Sequence, residues 1–188
     1  MSGMAEVRSR PRSTVEDYLA LPNDVLAELI DGELYVTPAP TPNHQDVAGA
    51  LYVHLRLFTE AHALGRAYIS PVDVYLPSGD IVQPDVVFIR QERMHITQTV
   101  IRGGPDLAIE VISPSRPERD RFIKKQLFAQ NGVAEYWIAD PAARSVEVFT
   151  LEGDAYAPAG WFTDTATVVS PSLPGLEIPL STVFRVDE

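Results

Sequence analysis

The segment PDLAIEVISPS, residues 105–115, places a carboxylate where the pattern calls for hydrocarbon. Leu107, Ala108, Ile109, Val111 and Ile112 read as a strand apolar on both faces, the mark of a buried strand, and Glu110 sits in its middle. A buried carboxylate without a partner would protonate rather than stay ionised, so Glu110 needs a cation or a donor. Asp85, in VQPDVVFI, stands in a similar setting, directly after Pro84 and before an apolar run. A third charge comes from RDRFIKKQLFAQN, which reads as a helix. At about 100° per residue, Ile123, Leu127 and Phe128 define its buried face. Lys124 lies one turn before Leu127 and Phe128, and Asp120 one turn before Lys124, so both point to the core side or its margin. Lys125 is rotated about 100° further round and should face solvent more.

Asp85, Glu110 and Lys124 could therefore meet at one end of a sheet. Two carboxylates on neighbouring strands make a hard oxygen site suited to Mg²⁺, which takes one or two carboxylates and keeps several waters. An ammonium beside them could orient a water and stabilise charge on a phosphoryl oxygen. Each residue also has a plainer reading. Asp85 could close a turn after Pro84. Glu110 could pair with a buried Arg or Lys. Lys124 could snorkel to water or pair with Asp120. Arg116, Arg119 and Arg121 cluster beside the candidate site as a solvated helix start or as phosphate contacts. His54, His62 and His95 show no metal-ligand spacing, and Tyr136 and Trp137 read as core.

The elements that must position these groups follow from capping, turn and periodicity signals. STVEDYLAL opens a short helix with Ser13 and Thr14 ahead of Glu16 and Asp17, and Pro22 ends it. LAELIDGELYVTP is a hairpin turning at Asp31-Gly32, followed by a proline-rich loop. From His44 to about Leu64, Val47, Leu51, Leu55 and Phe58 recur at helical spacing, with Asn43 as a candidate cap, and that helix should pack on a sheet. AYISPVDVYLP and DIVQPDVVFIR read as two strands of one hairpin through SGD. QERMHITQTVIRGG reads as a loop with a short helical turn. The Glu110 strand, the Lys124 helix from about Arg119 to Asn131 and a hairpin AEYWIADP–RSVEVFTLEG come next. The rest reads as short strands and loops covering the sheet. This order predicts a mixed α/β fold with a central sheet flanked by helices.

A chain of 188 residues suits one domain with a sizeable core, expected over 13–188 behind a flexible leader at 1–12. The polar, basic start has no apolar stretch of a secretory signal, and no run approaches the ~18 apolar residues of a membrane span. Cysteine is absent, which excludes a disulfide framework and thiolate metal sites and is compatible with cytoplasm. The net charge of −11, from 26 acidic and 15 basic residues, argues against a body coated in positive charge. A local basic groove can still coexist with it.

Taken in order, QPD, AIEV and DRFIKKQLFAQNGVAEYWIADP resemble the PD-(D/E)XK nuclease superfamily, and most closely its Uma-type family of restriction-endonuclease-like proteins. The resemblance extends from DYLALP and ELIDGELYVTPAP through EVFTLEG to LPGLEIPLSTVF. It implies a restriction-endonuclease-like mixed sheet flanked by helices, with additional N- and C-terminal strands, and Mg²⁺-dependent hydrolysis of DNA phosphodiesters, Mn²⁺ serving as a substitute. Asp85 matches the PD aspartate and Glu110 the following acidic position. Ile112 stands where the motif lysine is expected, and Lys124 matches the lysine that this branch carries on the next helix. The resemblance also implies the backbone carbonyl of Val111 as a metal ligand and roles for Glu28 and His44. Asp120 is a further supporting candidate. Nucleic acid is the expected partner, no membrane is expected, and cutting both strands of a duplex would favour a homodimer. The displaced lysine and the acidic charge keep an alternative open: a non-catalytic module of the same fold that binds nucleic acid or a protein. A hydrolase of another phosphoester would be marked by a small closed pocket rather than an open groove.

Overall fold

The computed structural model describes residues 12–22, 24–113 and 119–184, without the side chains of residues 119 and 120. The expected leader at 1–12 lies outside it except for Arg12, whose guanidinium is 3.3 Å from Asp31.

A six-stranded sheet forms the centre, in the order β11-β10-β9-β8-β6-β3. Its middle strands are β6 (Val86–Arg90), β8 (Leu107–Val111) and β9 (Glu135–Asp140), with β3 (Gly65–Ile69) on one side. Only β8 and β9 run parallel; the other neighbours are antiparallel, so the sheet is mixed. The connection between β8 and β9 carries the Lys124 helix, as a parallel pair requires.

Both faces of this sheet are covered, which is why β6 and β8 read as continuous apolar runs. One face carries Val86, Phe88, Leu107, Ile109 and Trp137, packed against Val47, Leu51 and Leu55. Those three residues belong to α2 (Pro42–Ala61), the helix expected from their spacing. Its cap is Thr41 rather than Asn43: the Thr41 hydroxyl accepts from the His44 amide, and Pro42 fills the first helical position. A second sheet, β2-β1-β5-β4-β7 with β7 at Ile101–Arg102, lies against the other face. Its Ile30, Val74, Val82 and Ile101 meet Val87, Ile89, Ala108, Tyr136 and Ile138.

Where the sequence suggests one long hairpin over residues 67–90, the chain divides its strands between the two sheets. β3 pairs with β6 in the central sheet, while β4 (Val74–Tyr75) and β5 (Ile81–Val82) form a smaller hairpin in the second. Pro71 and Pro84 lie at the two crossing points, where a residue without an N–H interrupts a ladder. The first hairpin forms as expected: β1 (Ala27–Ile30) and β2 (Glu33–Val36) turn through Asp31 and Gly32, both at positive φ. The first helix, α1 (Val15–Leu19), carries the full capping box between Thr14 and Asp17.

The C-terminal part departs from a simple cover. β10 (Ser145–Glu152) pairs with β9 as expected, but β11 (Ala155–Thr163) extends the central sheet as its edge strand. β12 (Thr167–Val169) and β13 (Glu177–Pro179) form a separate ribbon, and Val168 and Ile178 from it join the core under α2.

Candidate functional site

The register of β6 and β8 pairs Val86 with Ile109, and one further step sets Asp85 opposite Glu110. In a strand, residues two apart share a face, so Asp85 falls on the face of Val87, and Glu110 on that of Ala108. The ladder thus brings the two carboxylates together on the side of the second sheet. Asp85 is locked further: its Oδ2 accepts from the Val111 amide at 2.7 Å and lies 3.2 Å from Nε2 of His44. His44 reaches it from the first turn of α2.

Glu28 arrives from β1, where it is 2% exposed and its Oε1 accepts from the Gln83 amide at 2.9 Å. Lys124 enters between Glu28 and Glu110. Its Nζ lies 2.8 Å from Oε1 of each, and its side chain is 3% exposed. One ammonium therefore holds two buried carboxylates, a pairing strong enough to offset the desolvation of all three groups only with such contact geometry.

Lys124 keeps the inward direction expected from its place one turn before Leu127 and Phe128, while the helical pitch changes ahead of it. Residues Arg119–Lys124 form a π-helical turn that passes into the α-helix α3 (Lys125–Gln130). A π-turn holds more residues per turn than an α-helix and is frequent at functional sites. Uniform α-helical spacing predicts Ile123 on the buried face; instead Ile123 is 41% exposed, and Lys124 is 2% exposed beside buried Leu127 and Phe128. The wider turn rotates the residues ahead of Lys125, which carries Ile123 outward.

A cavity of about 320 Å³ opens over this set, lined among others by Glu28, His44, Asp85, Glu110, Val111 and Lys124. Five of the residues expected at the site thus share one space with the Val111 backbone. Arg121 stands apart: its guanidinium pairs with Glu147 and with Asp140 at 3.0 Å, so a phosphate would have to compete with two carboxylates for it. Arg116 and the side chains of Arg119 and Asp120 lie outside the described residues.

Three participants carry no signal that sequence reasoning used. Gln83 also donates from its amide side chain to Asp73 at 2.8 Å, and the Tyr18 hydroxyl donates to the same Asp73 oxygen at 2.9 Å. Burial and the hydrogen bond to Asp73 raise the Tyr18 pKa well above its usual value, so it remains a neutral donor. Gln83 could have been found from its place two residues before Asp85; Tyr18 and Asp73 are distant in sequence and become neighbours only through the fold.

The donors have the chemistry of a small-cation site: oxygen-rich, with two carboxylates on one rigid strand pair. Among the described residues, no three His, Asp or Glu side chains are already gathered as a metal cluster. Two protein carboxylates with waters suffice for Mg²⁺, so the set fits such an ion.

A family model described as "Uma2: Putative restriction endonuclease" matches residues 15–181. Among solved structures, the chain is similar to that of a protein described as a putative nuclease belonging to DUF820 from Anabaena variabilis ATCC 29413. The TM-score is 0.77 at 19% identity, over 91% of this chain and 97% of that one. At that identity the likeness establishes a shared, nuclease-like fold. No curated protein matches the chain. The family match takes in α1, the paired acidic strands and the Lys124 helix together, and the chain belongs to the Uma2 family of putative restriction endonucleases.

Proposed function

We propose that the protein is a divalent-cation-dependent nuclease that hydrolyses phosphodiester bonds of DNA. The observation that carries this is the convergence of Asp85, Glu110, Glu28 and Lys124 on one cavity in a chain of this family. Asp85 and Glu110 would hold Mg²⁺, or Mn²⁺ in its place, with the Val111 carbonyl beside them. Bound there, the ion would polarise the phosphoryl oxygen and lower the pKa of an attacking water. Lys124 would orient that water and stabilise negative charge growing on the phosphoryl group. Glu28 fixes the lysine head, and His44 fixes Asp85. Cleavage of both strands of a duplex would call for two copies of the chain.

One observation favours the second reading, a module that binds nucleic acid or a protein without catalysis. Lys124 already contacts both Glu28 and Glu110, so each of these carboxylates has a cation beside it without an added metal. Titration calorimetry with Mn²⁺ separates the two. The nuclease reading expects one binding event in wild type and none in Glu110→Gln at the same millimolar metal. Absence of binding in wild type would move the non-catalytic reading ahead.

A further inference from the structure

Besides its charged residues, the cavity has an apolar lining that the proposed chemistry does not use. Leu26, Pro38, Ala39, Pro40, Ile69 and Pro71 wall it with hydrocarbon. Leu26 and Ile69 are half-buried, and the other four are exposed. None of the lining residues is Phe, Tyr or Trp. Pro38, Pro40 and Pro42 fix φ at three of the six positions 37–42, which narrows the conformations open to this wall.

The charged residues are recessed. The side chains of Glu28, Glu110 and Lys124 are 3–4% exposed, so a phosphate must enter the cavity to meet them. A volume of about 320 Å³ is at the low end of small-ligand sites. It has room for one nucleoside unit. A regular duplex presents its phosphates on a convex surface with the bases turned inward. An unpaired nucleotide can enter at the least cost, because no pairing is given up.

We propose that the apolar lining of the cavity is a nucleoside subsite, and that the substrate is an unpaired nucleotide within a DNA strand. This rests on the nuclease reading and narrows its substrate. The phosphate goes to the acidic residues and Lys124, and the adjoining base and sugar pack on the proline, Leu26 and Ile69 wall. With no Phe, Tyr or Trp in the apolar wall, and the His44 ring held against Asp85, recognition is by shape and apolar contact and tolerates any base.

The test measures binding, so it does not depend on turnover. A fluorescein-labelled single-stranded 12-nucleotide DNA of mixed sequence and the same sequence as a blunt duplex are titrated with protein in Ca²⁺, and anisotropy is read. The expected result is at least tenfold tighter binding of the single strand. Ala39→Trp, on the exposed loop, should fill the cavity mouth and reduce single-strand affinity at least tenfold while its melting temperature stays at the wild-type value. Equal affinity for both DNAs, tighter duplex binding, no binding of either, or an Ala39→Trp variant that binds as wild type would each overturn the subsite. Mn²⁺ calorimetry on the same samples tells the two failures apart: metal binding that survives leaves the nuclease reading standing, and its absence removes both.

Discussion

The parallel strands β8 and β9 each bury a glutamate, at opposite ends of their shared ladder: Glu135 pairs in register with Leu107, and Glu110 with Ile138. Glu135 is 0% exposed and is met by neutral donors. The Trp137 indole donates to its Oε1 at 2.6 Å, and the Ser170 hydroxyl and Ser172 amide donate to Oε2 at 2.9 and 2.8 Å. These bonds tie the segment that leads on to β13 back to the central sheet. Glu110 is nearly as buried, but its partner is an ammonium, and it faces a cavity shared with two further carboxylates. Burial of a carboxylate is therefore no mark of a site by itself. Dipolar donors aimed from a closed core make a structural carboxylate. A charged partner and open volume beside it leave room for an incoming cation.

That contrast gives an order of effects. Lys124→Met should be the largest, because it removes the ammonium in contact with both buried carboxylates, Glu28 and Glu110. Loss of one partner from a buried ion pair costs about 3–5 kcal/mol. Urea denaturation without metal should show it, and millimolar Mn²⁺ should recover part of the loss by taking over the lysine's role. An unchanged midpoint would mean the two carboxylates do not depend on the ammonium, and the distinction from Glu135 would collapse. Glu135→Gln comes next. Its new amide nitrogen must face a donor on one side or the other, which costs about 1–3 kcal/mol. Its Mn²⁺ titration should match wild type; a lost metal signal would make Glu135 part of the site. Gln83→Ala is smaller still. The backbone amide that holds Glu28 remains, and the side-chain bond to Asp73 goes, at about 0.5–1.5 kcal/mol by the same denaturation.

The same two glutamates show what a sequence makes legible. Glu110 is conspicuous because apolar residues flank it on both sides and because QPD and the Lys124 helix sit at matching places in the chain. Glu135 opens its strand next to Gly132 and Ala134, where a charged residue looks like an ordinary strand end. Its partners Ser170 and Ser172 come from a segment whose docking no local pattern encodes. The hairpin at Asp31-Gly32, the α2 face and the capping box were readable because each rests on contacts within one element or one turn. The division of residues 67–90 between two sheets was not, because alternation alone does not say which sheet a strand joins. Tyr18 and Asp73 entered the site's surroundings through contacts 55 residues apart, for the same reason.

The adjacent lysines give the finest test, since helical geometry alone assigns them opposite roles. Lys125 lies half-buried, with its Nζ 3.4 Å from the centroid of the Phe149 ring. Desolvation lowers its pKa from the ordinary 10.5, against a smaller opposing pull from Glu147. A cation depressed in the folded state is bound more tightly by the unfolded chain. Its unfavourable contribution is therefore present at neutral pH and fades as pH climbs from the lowered folded value towards 10.5. The attraction of the ring for the ammonium works against that penalty. Lys125→Met removes both at once and should change stability at pH 7 by no more than about 0.5 kcal/mol, as surface substitutions do. It should also flatten the gain in stability that wild type shows between neutral pH and pH 10, measured by denaturation across that range. A loss as large as that of Lys124→Met would place Lys125 inside the charge network, and the ~100° step along the helix would no longer explain why one lysine of the pair reaches the carboxylates and its neighbour does not.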